Sequence, residues 1–171
     1  MDFYSATAKG YDELYGEEQK VKHRIIKENL KIKNNGLLLD VGCGTGAFSS
    51  FNCKVIGIDP SMELLRQNKT DDRKTNANNT PNKIQAMAEN LPFKDNVFDS
   101  VISVTSMHNF DDIKKGVSEI IRVGKKDFAF SILKKSNKFD CIEKIIKKYF
   151  KVKKIIDAEN DRVFICSKVF K

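Results

Sequence analysis

The stretch Leu37-Leu38-Leu39-Asp40-Val41-Gly42-Cys43-Gly44-Thr45-Gly46 constrains the fold of this chain more than any other. Three consecutive leucines read as a strand covered on both faces, as in a parallel sheet, and glycines at alternate positions let the backbone approach a ligand closely. Asp40 sets the sign of that ligand. A loop built for a pyrophosphate gains nothing from a fixed negative charge at its entrance, so the expected ligand carries positive charge.

The flanking sequence supplies the rest of a sheet. A helix is expected from about Glu17 to Leu30, with Val21, Ile25, Ile26 and Leu30 on one side and Asn34-Asn35-Gly36 stopping it. His23 on this helix reads as a surface residue. Lys54 to Asp59 is a second strand that again ends in an acid, and Pro60-Ser61 opens a helix through about Asn68. Thr70 to Asn82 is a polar loop without periodicity. Strands are expected at Ile84 to Ala88, Phe98 to Val104 and Asp127 to Leu133, with a helix marked by Ile113, Val117 and Ile120 after Asp111-Asp112. Val152 to Ala158 and Arg162 to Phe170, joined by Glu159-Asn160-Asp161, read as a closing antiparallel hairpin. The pattern implies an α/β, Rossmann-like, doubly wound sheet of seven mostly parallel strands with an antiparallel last strand and helices on both faces. Ligands of such sheets bind beyond the carboxyl ends of the strands.

Composition narrows the class. The 171 residues have the size of one domain, 1–171, opening on an N-terminal helical segment at 1–35. No apolar run approaches the roughly 20 residues of a membrane span, and the N-terminus lacks a signal-peptide pattern, so a cytoplasmic location is expected. Cys43, Cys53, Cys141 and Cys166 form no CxxC pair and are read as reduced, buried and metal-free. The net charge of +8 is local: between Lys134 and Lys154 nine lysines meet two acids. Ile142, Ile145, Ile146 and Tyr149 form an apolar helix face there, with Lys144, Lys147, Lys148 and Lys151 on another. A lysine run of this kind reads either as a solvated face or as a surface attracting polyanions.

S-adenosylmethionine, with an ammonium, a sulfonium and no phosphate, fits both the acid and the glycines. Several further runs carry a family resemblance: Gly57-Ile58-Asp59-Pro60-Ser61, Ala88-Glu89-Asn90-Leu91-Pro92-Phe93, Phe98-Asp99-Ser100-Val101-Ile102 and the terminal hairpin. With the glycine loop, in that order, they make the chain resemble a class I S-adenosylmethionine-dependent methyltransferase over most of its length, of the type 11-like kind. The GxGxG spacing, Asp40 and the antiparallel last strand stand against a dinucleotide-binding domain. By the resemblance, Asp40 organises the loop around the cofactor's ammonium. Gly42, Cys43 and Gly44 lie along its methionine portion, and Asp59 with Pro60 borders the ribose. A carboxylate suits two vicinal hydroxyls, since it offers two acceptor oxygens. Met87, Ala88 and Glu89 border the adenine, and Tyr11 belongs to a segment that folds over the cofactor. Met87 departs from the family pattern, in which an acid is common at that place.

Thr105-Ser106-Met107-His108-Asn109-Phe110 falls where the methyl acceptor belongs. The Asn/Asp-Pro-Pro-aromatic run of enzymes that methylate exocyclic base nitrogens or glutamine amides is absent. His108 is the candidate catalytic residue, either removing a proton from the acceptor or shaping its pocket by hydrogen bonding. Only Ala47 to Cys53 lies between the glycine loop and the second strand. This brevity and Asp59-Pro60-Ser61 are similar to methyltransferases of tRNA wobble-uridine carboxymethyl groups, which work with a small zinc-binding activator protein. The expected edge strand near Lys83 to Met87 offers a partner a place to add a strand. Three readings stand: methyl transfer to RNA, protein or another macromolecule, with or without an activator; methyl transfer to a quinone-like or metabolite acceptor; and an inactive binding subunit of the same fold. Met87 and the run Arg122-Val123-Gly124-Lys125-Lys126, where relatives often carry a Pro-Gly-Gly turn, motivate the third.

Overall fold

The computed structural model describes residues 11–46, 51–67 and 82–169, with side chains from Glu18 onward. Helix α1 (Tyr11–Asn29) leads into β1 (Leu37–Val41), β2 (Lys54–Asp59), the short α2 (Met62–Arg66), β3 (Asn82–Gln85) and β4 (Phe98–Val104). Helix α3 (Ile113–Val123), β5 (Gly124–Leu133), α4 (Phe139–Tyr149), β6 (Phe150–Asp157) and β7 (Asp161–Lys168) complete the chain. The seven strands form one sheet in the order β3-β2-β1-β4-β5-β7-β6. The first five are parallel, and β7 runs antiparallel to both β5 and β6.

Alternation along the strands divides the core in two. Leu39, Val41, Val101, Phe128, Phe130 and Phe164 turn to one face, where Val117, Ile120 and Val123 of α3 and Ile142, Ile145 and Ile146 of α4 cover them. Leu38, Val55, Ile102, Ala129, Val163 and Ile165 turn to the other face, against Ile26 and Leu30 of α1 and against Phe51 and Cys53. Both faces of the central strands are therefore dry, as the run of three leucines requires. On the α3/α4 side the Phe150 ring lies 4.9 Å from both Phe128 and Phe130. Local capping agrees with the fold: Ser61 Oγ accepts from Leu64 N at the start of α2, and Asp112 does the same for Lys115 N at the start of α3.

The structure departs from the sequence expectation at several places. Strand β3 occupies Asn82–Gln85 because its partner β2 ends at Asp59, opposite Gln85, and pairing stops there. Helix α4 ends at Tyr149, so Lys151 lies in β6 and not on the helix face with Lys144, Lys147 and Lys148. Helix α1 begins by Tyr11, earlier than its apolar stripe indicated. Strand β5 begins at Gly124, directly after α3, with no intervening turn. This close junction accounts for the sequence Arg122 to Lys126. The expected polar loop over Thr70 to Asn82 falls almost wholly outside the described residues, as does the segment immediately after Gly46. Among the described residues no helix is long and apolar enough to cross a membrane.

The α3–β5 junction depends on Gly124. A Cβ there would lie 2.5 Å from Phe128 Cε1, 2.7 Å from Phe128 Cζ and 2.9 Å from Val101 Cγ2, all in the dry core. Its φ of −88° is open to any residue, so overpacking alone decides the outcome. Gly124→Ala is expected to lower stability by about 1–3 kcal/mol, outweighing the smaller gain from a stiffer unfolded chain. Urea denaturation with an unchanged slope and a lower midpoint would show it.

Candidate functional site

Strand β1 is flanked by β2 on one side and β4 on the other, so the chain's winding reverses at β1 and a crevice opens beyond the carboxyl ends of these strands. The glycine loop lines it. Gly42, Gly44 and Gly46 have φ of +78°, +56° and +80°, the left-handed region that side chains rarely adopt. Gly42 is constrained twice, since a Cβ there would sit 2.4 Å from Ser106 Cβ. Around Gly44 nothing lies within 4 Å of where a Cβ would be, so the loop presents bare backbone to open space. The loop is held from β2: Gly42 N and Cys43 N both donate to Ile58 O, at 2.8 and 2.9 Å. Lys83 Nζ pins its far side through Thr45 O at 2.5 Å.

Asp59, buried at the end of β2, joins three segments. Its Oδ2 accepts from Gly44 N at 2.8 Å and its Oδ1 from Ser61 N at 2.9 Å, while its carbonyl accepts from Ala86 N. Asp40, buried in the neighbouring strand, lacks such support. Its Oδ1 is the one buried side-chain nitrogen or oxygen without a hydrogen-bond partner among the described residues. Burial, and then the charge of Asp59, push its carboxyl up to about 8. A buried acid with an unsatisfied oxygen beside a second acid has the chemistry to favour a cation, and the open backbone at Gly44 leaves room for one. These residues fit S-adenosylmethionine.

The other expected residues fall around this centre. Cys43 is half-buried in the loop, and burial together with Asp40 and Asp59 drives its thiol well above the usual range. Pro60 is exposed and its carbonyl accepts from Gln85 Nε2. Met87 is 43% exposed where the chain leaves β3, with Ala88 buried behind it. Glu89 is buried and spends Oε1 on Asp112 N, which ties the Met87–Glu89 segment to the start of α3. The side chain of Tyr11 lies outside the described residues. His108 sits in the 3-10 turn Met107–Asn109, half-buried, and its carbonyl accepts from Lys138 Nζ. Burial lowers its pKa, with Lys138 and Lys22 adding to the effect and Asp161 opposing it, so the imidazole is neutral at pH 7.

Several residues differ from their expectation: Cys43 is half-buried and not buried, and Val21 and Tyr149, expected on apolar helix faces, are exposed. His23 is buried, edge-on to Phe51, and burial followed by the Lys22 charge lowers its pKa to about 4. Cys141 is exposed on α4, whereas Cys53 and Cys166 are buried. A buried cluster was missed altogether. Lys22 Nζ lies 3.0 Å from Asp161 Oδ2 and 2.9 Å from Thr105 Oγ1, at the start of the turn Thr105–Phe110. The signal was present, because Lys22, Ile26 and Leu30 follow one another at i, i+4 and i+8, and His23 shares that stripe.

A family model described as a methyltransferase domain matches residues 39–132. An uncharacterised protein of Methanocaldococcus jannaschii is 35% identical over 95% of this chain and 67% of its own length. A demethylmenaquinone methyltransferase of Lactobacillus johnsonii is 29% identical over 88% and 67%. The chain spans only 39% and 38% of two further relatives, so it corresponds to part of them. Among solved structures, an S-adenosylmethionine-dependent methyltransferase of Methanococcus maripaludis superposes with a TM-score of 0.80 at 18% identity, covering 100% of this chain and 96% of that one. A methyltransferase from a complex with the Trm112 activator of Haloferax volcanii gives 0.76 at 15% identity, covering 98% of each. At these identities the likeness is one of fold.

The raised pKa of Asp40 couples its proton to folding and to any cation held beside it. Between pH 3.8 and about 8 the folded, ligand-free protein holds a proton that the unfolded chain releases, so its stability falls as pH rises through that window. A cation bound at Asp40 favours the carboxylate and expels this proton. Calorimetry of S-adenosylmethionine binding at pH 7, in buffers of different ionisation heat, is expected to show proton release that Asp40→Asn abolishes. Equal heats in all buffers would contradict it.

Proposed function

Since the chain belongs to the class I S-adenosylmethionine-dependent methyltransferases, we propose that it transfers the cofactor's methyl group to a macromolecular acceptor, with RNA favoured. S-adenosylmethionine supplies a methyl carbon already activated by its sulfonium. In this reading Asp40 faces the cofactor's ammonium, and Gly42, Cys43 and Gly44 line its methionine portion. Asp59 and Pro60 border the ribose, and Met87, Ala88 and Glu89 border the adenine. Asp59 suits two vicinal hydroxyls because a carboxylate offers two acceptor oxygens. What the protein adds is alignment and exclusion of water. His108, neutral by burial, takes the proton from a phenol, amine or thiol acceptor, whereas a carboxylate acceptor needs no base.

The observation that carries the macromolecular reading is the position of the lysines. They begin at the acceptor turn itself, where Lys138 binds the His108 carbonyl, and continue as Lys144 and Lys148 on the exposed side of α4. The two sheet edges also differ. Strand β6 carries exposed Lys151, Lys153 and Lys154, the usual guard against unwanted strand pairing. On β3 the lone charge, Lys83, is turned back onto the carbonyls of Thr45, Leu65 and Gln67. That edge is suited to a partner strand, and a small zinc-binding activator is the partner class we propose, supported by the fold shared with the partner of the Haloferax activator. A small-molecule acceptor is the second reading, favoured by the relatives named demethylmenaquinone methyltransferases.

Radiolabelled methyl transfer from S-adenosylmethionine into a cell extract separates these readings. Label in RNA, with tRNA affinity falling steeply as salt rises, is the expected result. Label confined to small molecules would establish the second reading, and failure of the folded protein to bind the cofactor would leave an inactive binding subunit. His108→Ala is expected to lower the maximal rate by about a hundredfold with cofactor affinity nearly unchanged. An unaltered rate would reject the base.

A further inference from the structure

The buried cluster under the acceptor turn lies outside the residues assigned above. Lys22 and Asp161 are 2% and 1% exposed, and four separate elements meet in them. The ammonium of Lys22 uses its three donors on Asp161 Oδ2, Thr105 Oγ1 and Glu18 Oε1, the last at 3.3 Å. Thr105 Oγ1 donates to Asp161 Oδ1 at 2.9 Å. Its single proton being spent there, its 3.0 Å contact with Ser131 Oγ is donated by the serine. Ser131 Oγ in turn accepts from Thr105 N at 2.9 Å, beside a second bond from that N–H to Ser131 O at 3.1 Å. The hydrogen-bond directions of the cluster are thus set, and it joins α1, the end of β4, β5 and the start of β7.

The cluster acts on a strained residue. Thr105 has a φ of +52°, a conformation that a β-branched side chain adopts only when its surroundings impose it. The next residue, Ser106, lies beneath Gly42, donates to Val41 O at 2.8 Å and meets Ser103 Oγ at 2.6 Å. Two residues further on is His108. The conformation of Thr105 therefore sets how the turn approaches the cofactor loop. As a device for stability the arrangement is poor, since well-packed apolar residues commonly do as well as a buried ion pair. As a device for fixing one geometry it is apt.

We propose that Lys22 is a positioning residue: through Asp161 and Thr105 its buried ammonium locks the turn Thr105–Phe110 to helix α1, so that helix and acceptor wall take up their places together. The proposal rests on the reading of this turn as the acceptor wall, and the test treats the two separately. Hydrogen exchange is measured on the protein and on two variants. Thr105→Gly accepts the backbone conformation and removes the side chain with its hydroxyl, while Lys22→Met with Asp161→Leu removes the buried pair and leaves only the part-exposed Glu18 without its partner. In both, amides of residues 105–110 are expected to exchange about tenfold faster, with those of Leu39 and Ala129 unchanged. Thr105→Ser, which keeps the hydroxyl, is expected to restore wild-type protection. In the loosened variants the maximal rate of methyl incorporation into extract should fall about tenfold, with S-adenosylmethionine affinity held within about threefold. Unchanged exchange in the turn, or acceleration only in step with Leu39 and Ala129, would overturn the lock. A loosened turn with undiminished methyl incorporation would leave the lock standing and remove the turn from the acceptor site.

Discussion

Two buried carboxylates at the ends of adjacent parallel strands govern the rest of this structure. Strands β1 and β2 run in the same direction and finish together, which brings Asp40 and Asp59 to one edge. A pair of like charges away from water is costly, and the protein meets that cost unequally. Asp59 receives the backbone N–H groups of Gly44 and Ser61, and in doing so shapes the glycine loop and the start of α2. Asp40 keeps one oxygen unsatisfied and its proton up to about pH 8. The fold thus leaves one acid incompletely satisfied, at the place where we propose a cationic cofactor binds.

The cluster of Lys22, Thr105, Ser131 and Asp161 is the complement. It is buried to the same degree, yet its charges are paired and each of its hydrogen-bond donors has an acceptor. An incomplete polar centre points to a ligand, and a complete one points to geometry. A third polar knot, Arg122, joins Glu119, Asp95 and the carbonyls of Leu91 and Phe93, and fastens the loop between β3 and β4 onto α3. All three knots stand where irregular chain meets the sheet. The strands themselves need none, because their apolar side chains and ladder bonds are sufficient.

Much of the fold was legible in advance, for a physical reason visible in particular segments. Leu37 to Leu39 and the apolar residues Phe98, Val101, Ile102 and Val104 supply both sheet faces, so burial assigns these strands, and the second was read with its observed bounds. Asp59 was marked by its place at the end of a strand before Pro60-Ser61. Where a boundary depended on a partner, the reading slipped. Strand β3 ends where β2 can no longer pair with it, and the lysine helix ends where Phe150 enters the core. His23 was read by residue type as a surface group and Lys22 was not singled out, although their spacing from Ile26 and Leu30 placed both on the buried stripe.

By itself, the amino-acid sequence determined the class of sheet, the order of its elements and an acid-flanked glycine loop at the carboxyl end of β1. These follow from local periodicity and from chemistry carried within a few residues. Only the tertiary structure decided that Asp40 is orphaned while Asp59 is satisfied, that burial lowers the pKa of His108, and that Lys22 reaches Asp161 and Thr105 across the chain. Such properties depend on burial and on contacts between residues as much as 139 positions apart. Desolvation is set by the assembled surroundings, and no local pattern encodes it.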